Sequence, residues 1–210
     1  MSLYFSKPLQ SLAGSSPVAY AHEAQHLAGL LDSLGIYADR LARMRLPFHP
    51  VATALTDAET DRNGVVHQLT PEATAAWHAV KHAARQDGIM IEIVSAFRDI
   101  DCQADIIRDK ISRAMPMEKI LTLSAPPGYS EHHTGRAIDI NTPGCEPREA
   151  PFGDTAAFQW LLRHARRFGF VMSYPMGNAE GFICEPWHWC YQPSQRPHRE
   201  CMSGSKGSFA

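Results

Sequence analysis

Apolar residues along the chain fall into helical and strand-like runs separated by clear stops. Leu27, Leu30, Leu31 and Leu34 recur at helical spacing within 20–34, and Gly35 ends the run. A second short helix is expected over 37–45. Thr70-Pro71-Glu72 opens another, with a capping hydroxyl, proline at the first helical position and an acid in the first turn. That helix is predicted to run to Asp87, with Gly88 as its stop. The β-branched run Ile89-Met90-Ile91-Glu92-Ile93-Val94-Ser95 predicts a buried strand. A helix over 99–114 would turn Ile100, Ile106, Ile107 and Ile111 inward. Another over 154–168 would bury Phe158, Leu161, Leu162 and Ala165 before stopping at Gly169. Strands are expected at 170–174 and 187–191. Between 47 and 66 the one clear signal is the polar turn Thr60-Asp61-Arg62-Asn63-Gly64; the rest reads as loop or short strand. No internal repeat interrupts this order.

Composition narrows the class. The chain has 210 residues, 44% hydrophobic and 20% charged, enough for one ordinary domain with its own core. Lys and Arg total 20 against 22 acids, so the net charge is -2, and the basic excess of a nucleic-acid binder is missing. No run reaches the roughly 18 apolar residues of a membrane-spanning helix. The first residues show no basic stretch leading into a long apolar one, so the expectation is a cytoplasmic protein, with an exported form as the alternative if a leader has been removed. The five cysteines include no Cys-x-x-Cys pair and are expected as reduced thiols; a Cys184–Cys190 bridge is the alternative for an exported chain. Eleven histidines are the feature that needs explaining.

Two groups of them have metal-site chemistry. On the first helix, His22-Glu23-Ala24-Gln25-His26 matches H-E-x-x-H, with both histidines on one helix face. Only 21 residues precede it, too few for the sheet that zinc proteases of that type place before this helix, so histidines facing water are expected. The second group is Ser130-Glu131-His132-His133-Thr134-Gly135-Arg136-Ala137-Ile138-Asp139. As one straight strand it would hold His132 and Asp139 roughly 23 Å apart at about 3.3 Å per residue. A two-residue hairpin turn at Thr134-Gly135 would instead set His132 opposite Ala137 and Ser130 opposite Asp139. That brings His132 and Asp139 to one face and sends His133 to the other. In Glu185-Pro186-Trp187-His188-Trp189, strand alternation puts both tryptophans on one face and His188 on the other. Two imidazoles and one carboxylate suit zinc with a fourth position left for water, and Glu185 is placed to take that water's proton.

Ser130-x-His132-x-x-Gly135-x-Ala137-x-Asp139 followed by Glu185-x-x-His188 resembles the zinc D-alanyl-D-alanine carboxypeptidases of the VanY type, within the hedgehog/DD-peptidase fold group. Ser95-Ala96-Phe97-Arg98 with Gln103, and Arg167-Phe168-Gly169-Phe170, extend the likeness over roughly 69–191; Ala96-Phe97 stands where the family usually has Gly-Tyr. The resemblance implies one Zn2+ per chain held by His132, Asp139 and His188, with Glu185 as general base and acid. It implies Arg98 on a negative charge, either a developing oxyanion or a terminal carboxylate, and Gln103 and Ser130 as hydrogen-bonding partners of the terminal D-alanine. The expected fold is α+β, a mostly antiparallel sheet flanked by helices. The expected organisation is an N-terminal extension to 66, a peptidase domain over 67–192 and a flexible tail over 193–210. The expected partner is a peptidoglycan peptide or precursor ending in D-alanine. L,D-cleavage, endopeptidase or dipeptidase activity at the same site and a non-catalytic zinc-stabilised binding module are the alternatives.

Overall fold

The computed structural model describes residues 17–192; the expected tail over 193–210 lies outside the described residues. Helix α1 (Pro17–Ser33) and helix α2 (Ala38–Met44) come first, joined through Gly35 at φ 69°. Strands β1 (Thr56–Thr60) and β2 (Val66–Leu69) form a hairpin whose turn is closed by Asp61, its carboxylate accepting from the amides of Asn63 and Val65. The hairpin crosses residue 66 and packs on helix α3 (Pro71–Gln86). Thr70 caps α3 as its sequence predicts, accepting from the Ala73 amide at 3.4 Å.

Strand β3 (Glu92–Ser95) covers only the second half of the apolar run, because the exposed Met90 lies in the connection from α3. Asp99 caps helix α4 (Ile100–Ser112), accepting from the Cys102 amide. Its buried stripe runs through Gln103, Ala104 and Ile107, and Ile111 in the last turn is 40% exposed rather than inward. Helix α5 (Met117–Leu123) is absent from the sequence expectations; seven residues with two buried positions, Ile120 and Leu121, carry too little periodicity to announce it. Strand β4 (Ala137–Asn141) follows. Helix α6 (Ala156–His164), capped by Thr155, is shorter than expected and tightens into a 3-10 turn over Ala165–Phe168. Ala157, Trp160, Leu161 and Ala165 form its buried stripe, and Leu162, off that stripe, is 51% exposed. Strands β5 (Phe170–Met172) and β6 (His188–Tyr191) are the last elements among the described residues.

The main sheet has the order β3-β4-β6-β5 and is antiparallel throughout. Strand β4 is buried on both faces, which separates two environments. Ile138 and Ile140 enter a core with Trp77 of α3, Trp160 and Leu161 of α6, and Phe152. Trp187 and Trp189 join the same core, so the expected split between tryptophans and His188 holds. Ala137 and Asp139 face the other way, towards α4. There a second core gathers Leu27, Leu30, Leu31 and Leu34 of α1 with Ala104 and Ile107 of α4 and Ile120 of α5. Burying each leucine stabilises by about 1.5–3 kcal/mol, so α1 braces the helices that roof the site. No helix among the described residues is long and apolar enough to cross a membrane.

Candidate active site

Register builds half of the site. Asp139 in β4 sits directly opposite Ser95 of β3 on one side and His188 of β6 on the other. Directly opposed residues hold their Cβ atoms about 4.5–5.5 Å apart, so the carboxylate and the imidazole meet without any special loop. His132 arrives differently from expectation. Residues Glu131–Thr134 form a single 3-10 turn, not one arm of a hairpin, and β4 pairs with β3 and β6 rather than with the segment before it. Gly135 closes that turn at φ 63°, and a Cβ there would stand 2.8 Å from Leu55 Cδ2 and 3.2 Å from Ala52 Cβ. A left-handed residue with no side chain fits both a hairpin turn and the end of a helical turn, which is why its spacing alone pointed to the wrong one.

His132, Asp139 and His188 converge, all three buried, with one ligand atom from each lying within 4.8 Å of the others. Asp139 Oδ1 is 3.4 Å from His132 Nε2 and 3.1 Å from His188 Nδ1. Tetrahedral zinc with bonds of roughly 2.0–2.2 Å separates its ligands by about 3.3–3.5 Å, so the donor set fits that ion in type and spacing. Each ring is aimed from behind. His132 Nδ1 donates to the Ala96 carbonyl at 2.6 Å, which leaves Nε2 as the inward lone pair. His188 Nε2 donates to Glu131 Oε2 at 2.9 Å, which leaves Nδ1 inward. Such outward hydrogen bonds fix the tautomer and orientation a metal-binding histidine needs.

Two ionised carboxylates, Asp139 and Glu131, set the electrostatics, and a cation at the cluster would displace the proton that His188 otherwise holds. Burial works against charge on His188, but hydrogen bonds to Asp139 and Glu131 outweigh it and carry its pKa up to about 10. Burial likewise opposes ionisation of Glu131, yet the His188 contact brings it down to about 2, and Ser173 donates to the same oxygen. Asp139 is held well below the ordinary carboxylate range against its burial by His132 and His188. His132, buried and beside Arg98, falls to about 4 and stays a neutral donor. Tyr174 lies against the His188 ring with centroids 4.7 Å apart.

Glu185 stands 3.9 Å from His188 Nδ1, at the mouth of the three-donor cluster. Burial raises it to about 7, with the His188 charge pulling the other way, the range in which a carboxylate can both take and return a proton. Arg98 is not in a surface pair with Asp99 or Asp101. Its guanidinium lies 3.9 Å from Asp139 Oδ2, donates to Ser95 Oγ and gives Nε–H to Gln103 Oε1 at 3.2 Å. Gln103 in turn donates to the Ala125 carbonyl at 2.8 Å, so it aims Arg98 as well as lining the cavity. Ser130 is buried in the same cavity wall. The cavity measures about 680 Å3 and is bounded by α4, the Leu123–Ala125 segment and the 182–188 loop.

His133 does face away from the donor cluster, but its role was missed. Its Nε2 accepts from the Gly128 amide at 3.0 Å and its Nδ1 donates to the Arg98 carbonyl at 2.6 Å, pinning two loops of the site together. Burial takes it down to about 4, so it is neutral there. Glu131 was also missed, since it occupies an unspecified position of the motif. At the N-terminal H-E-x-x-H, His26 pairs with Asp101 of α4 at 3.0 Å on the surface, and no third donor joins it among the described residues. Cys184 is exposed and Cys190 buried, both as free thiols.

Residues 66–194, more than half of the chain, match the family model described as VanY: D-alanyl-D-alanine carboxypeptidase. A putative carboxypeptidase, YodJ, of Bacillus subtilis is 36% identical over 127 residues, covering 59% of this chain and 46% of that protein. A D-alanyl-D-alanine carboxypeptidase of Enterococcus faecalis is 33% identical over 119 residues, covering 52% and 42%. The chain thus spans less than half the length of these curated relatives. Among solved structures, the LdcB LD-carboxypeptidase aligns with a TM-score of 0.55 at 30% identity, over 70% of this chain and 67% of that one. VanYB in complex with D-alanine-D-alanine aligns at 0.54 and 28%, over 68% and 78%. A VanY D,D-pentapeptidase variant in complex with Zn(II) aligns at 0.54 and 26%, over 70% and 86%. With the motif residues gathered in one buried cluster and a family match that spans all of them, the chain belongs to the VanY family of D-alanyl-D-alanine carboxypeptidases.

Proposed function

We propose that this protein is a zinc-dependent D,D-carboxypeptidase that removes the last residue from peptidoglycan peptides or precursors ending in D-Ala-D-Ala, with one ion per chain. The observation that carries the reading is Glu185, a carboxylate raised to about 7 and held 3.9 Å from a histidine of the three-donor cluster, at the wall of an open cavity. His132, Asp139 and His188 would hold the zinc ion, which would supply Lewis acidity: a lowered pKa of roughly 7 for a water and polarisation of a carbonyl. Glu185 takes the proton of the attacking water and returns it to the departing amine, so that D-alanine leaves neutral at nitrogen. Arg98, fixed by Ser95 and Gln103 and adjacent to Asp139, donates to the negative charge that develops on the scissile carbonyl oxygen. Ser130 offers its hydroxyl to the terminal carboxylate from the same wall. The structural likeness to an LD-carboxypeptidase supports a second reading, in which the bond cut joins an L-configured centre to D-alanine.

The test compares zinc-loaded wild type and Glu185→Ala on paired synthetic peptides ending in D-Ala-D-Ala or in a single D-alanine after an L-configured centre. Release of D-alanine from the first peptide, lowered about 10²–10⁴-fold in the variant with zinc retained, is the expected result. Release from the second peptide alone gives the L,D reading. No release from either overturns the peptidase proposal.

A further inference from the structure

The cavity holds more positive charge than its catalytic centre uses. Arg98 faces Asp139. Of the other cations on the wall, Arg113 is matched by Asp109 at 2.9 Å. Asp105 is likewise taken, by Arg108 at 2.6 Å. Two cations remain. Lys110 of α4 is half-buried, and its ammonium donates to the neutral Ser124 hydroxyl at 2.6 Å, with no carboxylate in ion-pair range among the described residues. Arg148, on the exposed loop after β4, has no ion pair among the described residues and borders the same cavity. Burial lowers the Lys110 pKa; through space Glu185 and Asp109 act to raise it and Arg148 and Arg98 to lower it, which places these groups in one electrostatic neighbourhood. Arg148 sits at φ 58°, a backbone conformation that an L side chain rarely adopts.

Size points the same way. At about 680 Å3 the cavity is in the range that holds a drug-sized ligand, more than a terminal dipeptide fills. A half-buried ammonium with only a neutral partner is a costly arrangement unless a ligand completes it.

We propose that Lys110 and Arg148 form a second anion subsite, separate from Arg98, which selects peptides carrying a side-chain carboxylate in addition to the terminal one. The inference rests on the peptidase reading. It adds a requirement the catalytic centre does not impose: the substrate is a diacid, with one carboxylate at its C-terminus and one on a side chain.

Two peptides ending in D-Ala-D-Ala, identical except that the preceding residue bears a free carboxylate in one and its primary amide in the other, provide the test. The wild type is expected to favour the carboxylate peptide at least tenfold in kcat/KM, chiefly through KM. The ratio should fall towards one in Arg148→Gln, an exposed position whose change leaves the packing intact, and in Lys110→Met. Binding of both peptides to zinc-loaded Glu185→Ala protein, followed by calorimetry, should show the same preference without turnover, and 0.5 M salt should reduce it. Equal kcat/KM for the two peptides in the wild type, or a preference undiminished in both variants, overturns the subsite while leaving the peptidase reading standing. Absence of turnover on either peptide strikes the peptidase reading instead, and the binding preference then decides the subsite by itself.

Discussion

On α1, His22 and His26 stand one turn apart at the surface, and His26 spends Nε2 on Asp101, with both side chains about half exposed (51% and 57%). Beneath the sheet, His132 and His188 come from a 3-10 turn and a strand far apart in sequence, yet their rings lie 4.9 Å apart with a shared carboxylate. The first pair has the shorter and better-known spacing. The second has what spacing cannot supply: an outward hydrogen bond behind each ring, burial that keeps His132 neutral, and a third donor set by strand register. A metal site is therefore defined less by the distance between its ligands along the chain than by the groups that hold each lone pair inward.

The comparison breaks most visibly if His188→Ala and His26→Ala are measured side by side. Removing His188 is expected to abolish stoichiometric zinc and lower D-alanine release at least about 10³-fold, since two donors and no oriented third cannot hold a catalytic ion. His26→Ala should keep zinc and stay within about twofold in rate, losing at most the exposed pair with Asp101, of a kind usually contributing under about 1 kcal/mol. Glu131→Gln sharpens the contrast, because it removes the orienting charge while leaving all three ligands. Zinc affinity should fall about 10–100-fold by competition with a chelator, with the fold intact by circular dichroism. The last comparison concerns His133. Its folded pKa of about 4 lies below the unfolded value of 6.5, so the unfolded chain binds more protons between those limits. Its contribution is therefore complete above about pH 6.5 and is lost as pH falls towards 4. Denaturant titrations should show wild type losing up to about 3 kcal/mol more than His133→Gln across that window.

Much of this was legible in the residues. Capping at Thr70, the apolar strand ending at Ser95 and the alternation around His188 follow from local rules, and all three appear in the structure. Motif and resemblance singled out His132, Asp139, His188 and Glu185, and the structure brings these side chains together. The route of His132 into the site was not, because Gly135 serves a hairpin and a 3-10 turn equally well until the strand partners of β4 are known. Glu131 and His133 act by orienting neighbours, and orientation leaves no spacing signature; Gln103 was named through the resemblance, but not its hydrogen bond to Arg98. The leucines of α1 announced a buried face but not its partners, which are α4 and α5.

The central claim is that His132, Asp139 and His188 close on one zinc ion. Elemental analysis of protein purified without metal-affinity steps and reloaded with zinc, for wild type, His132→Ala and the double variant His22→Ala/His26→Ala, tests it most directly. One zinc per chain in the wild type and the double variant, and none retained in His132→Ala, is the predicted result. Zinc lost from the double variant, or kept at one per chain by His132→Ala, would contradict it.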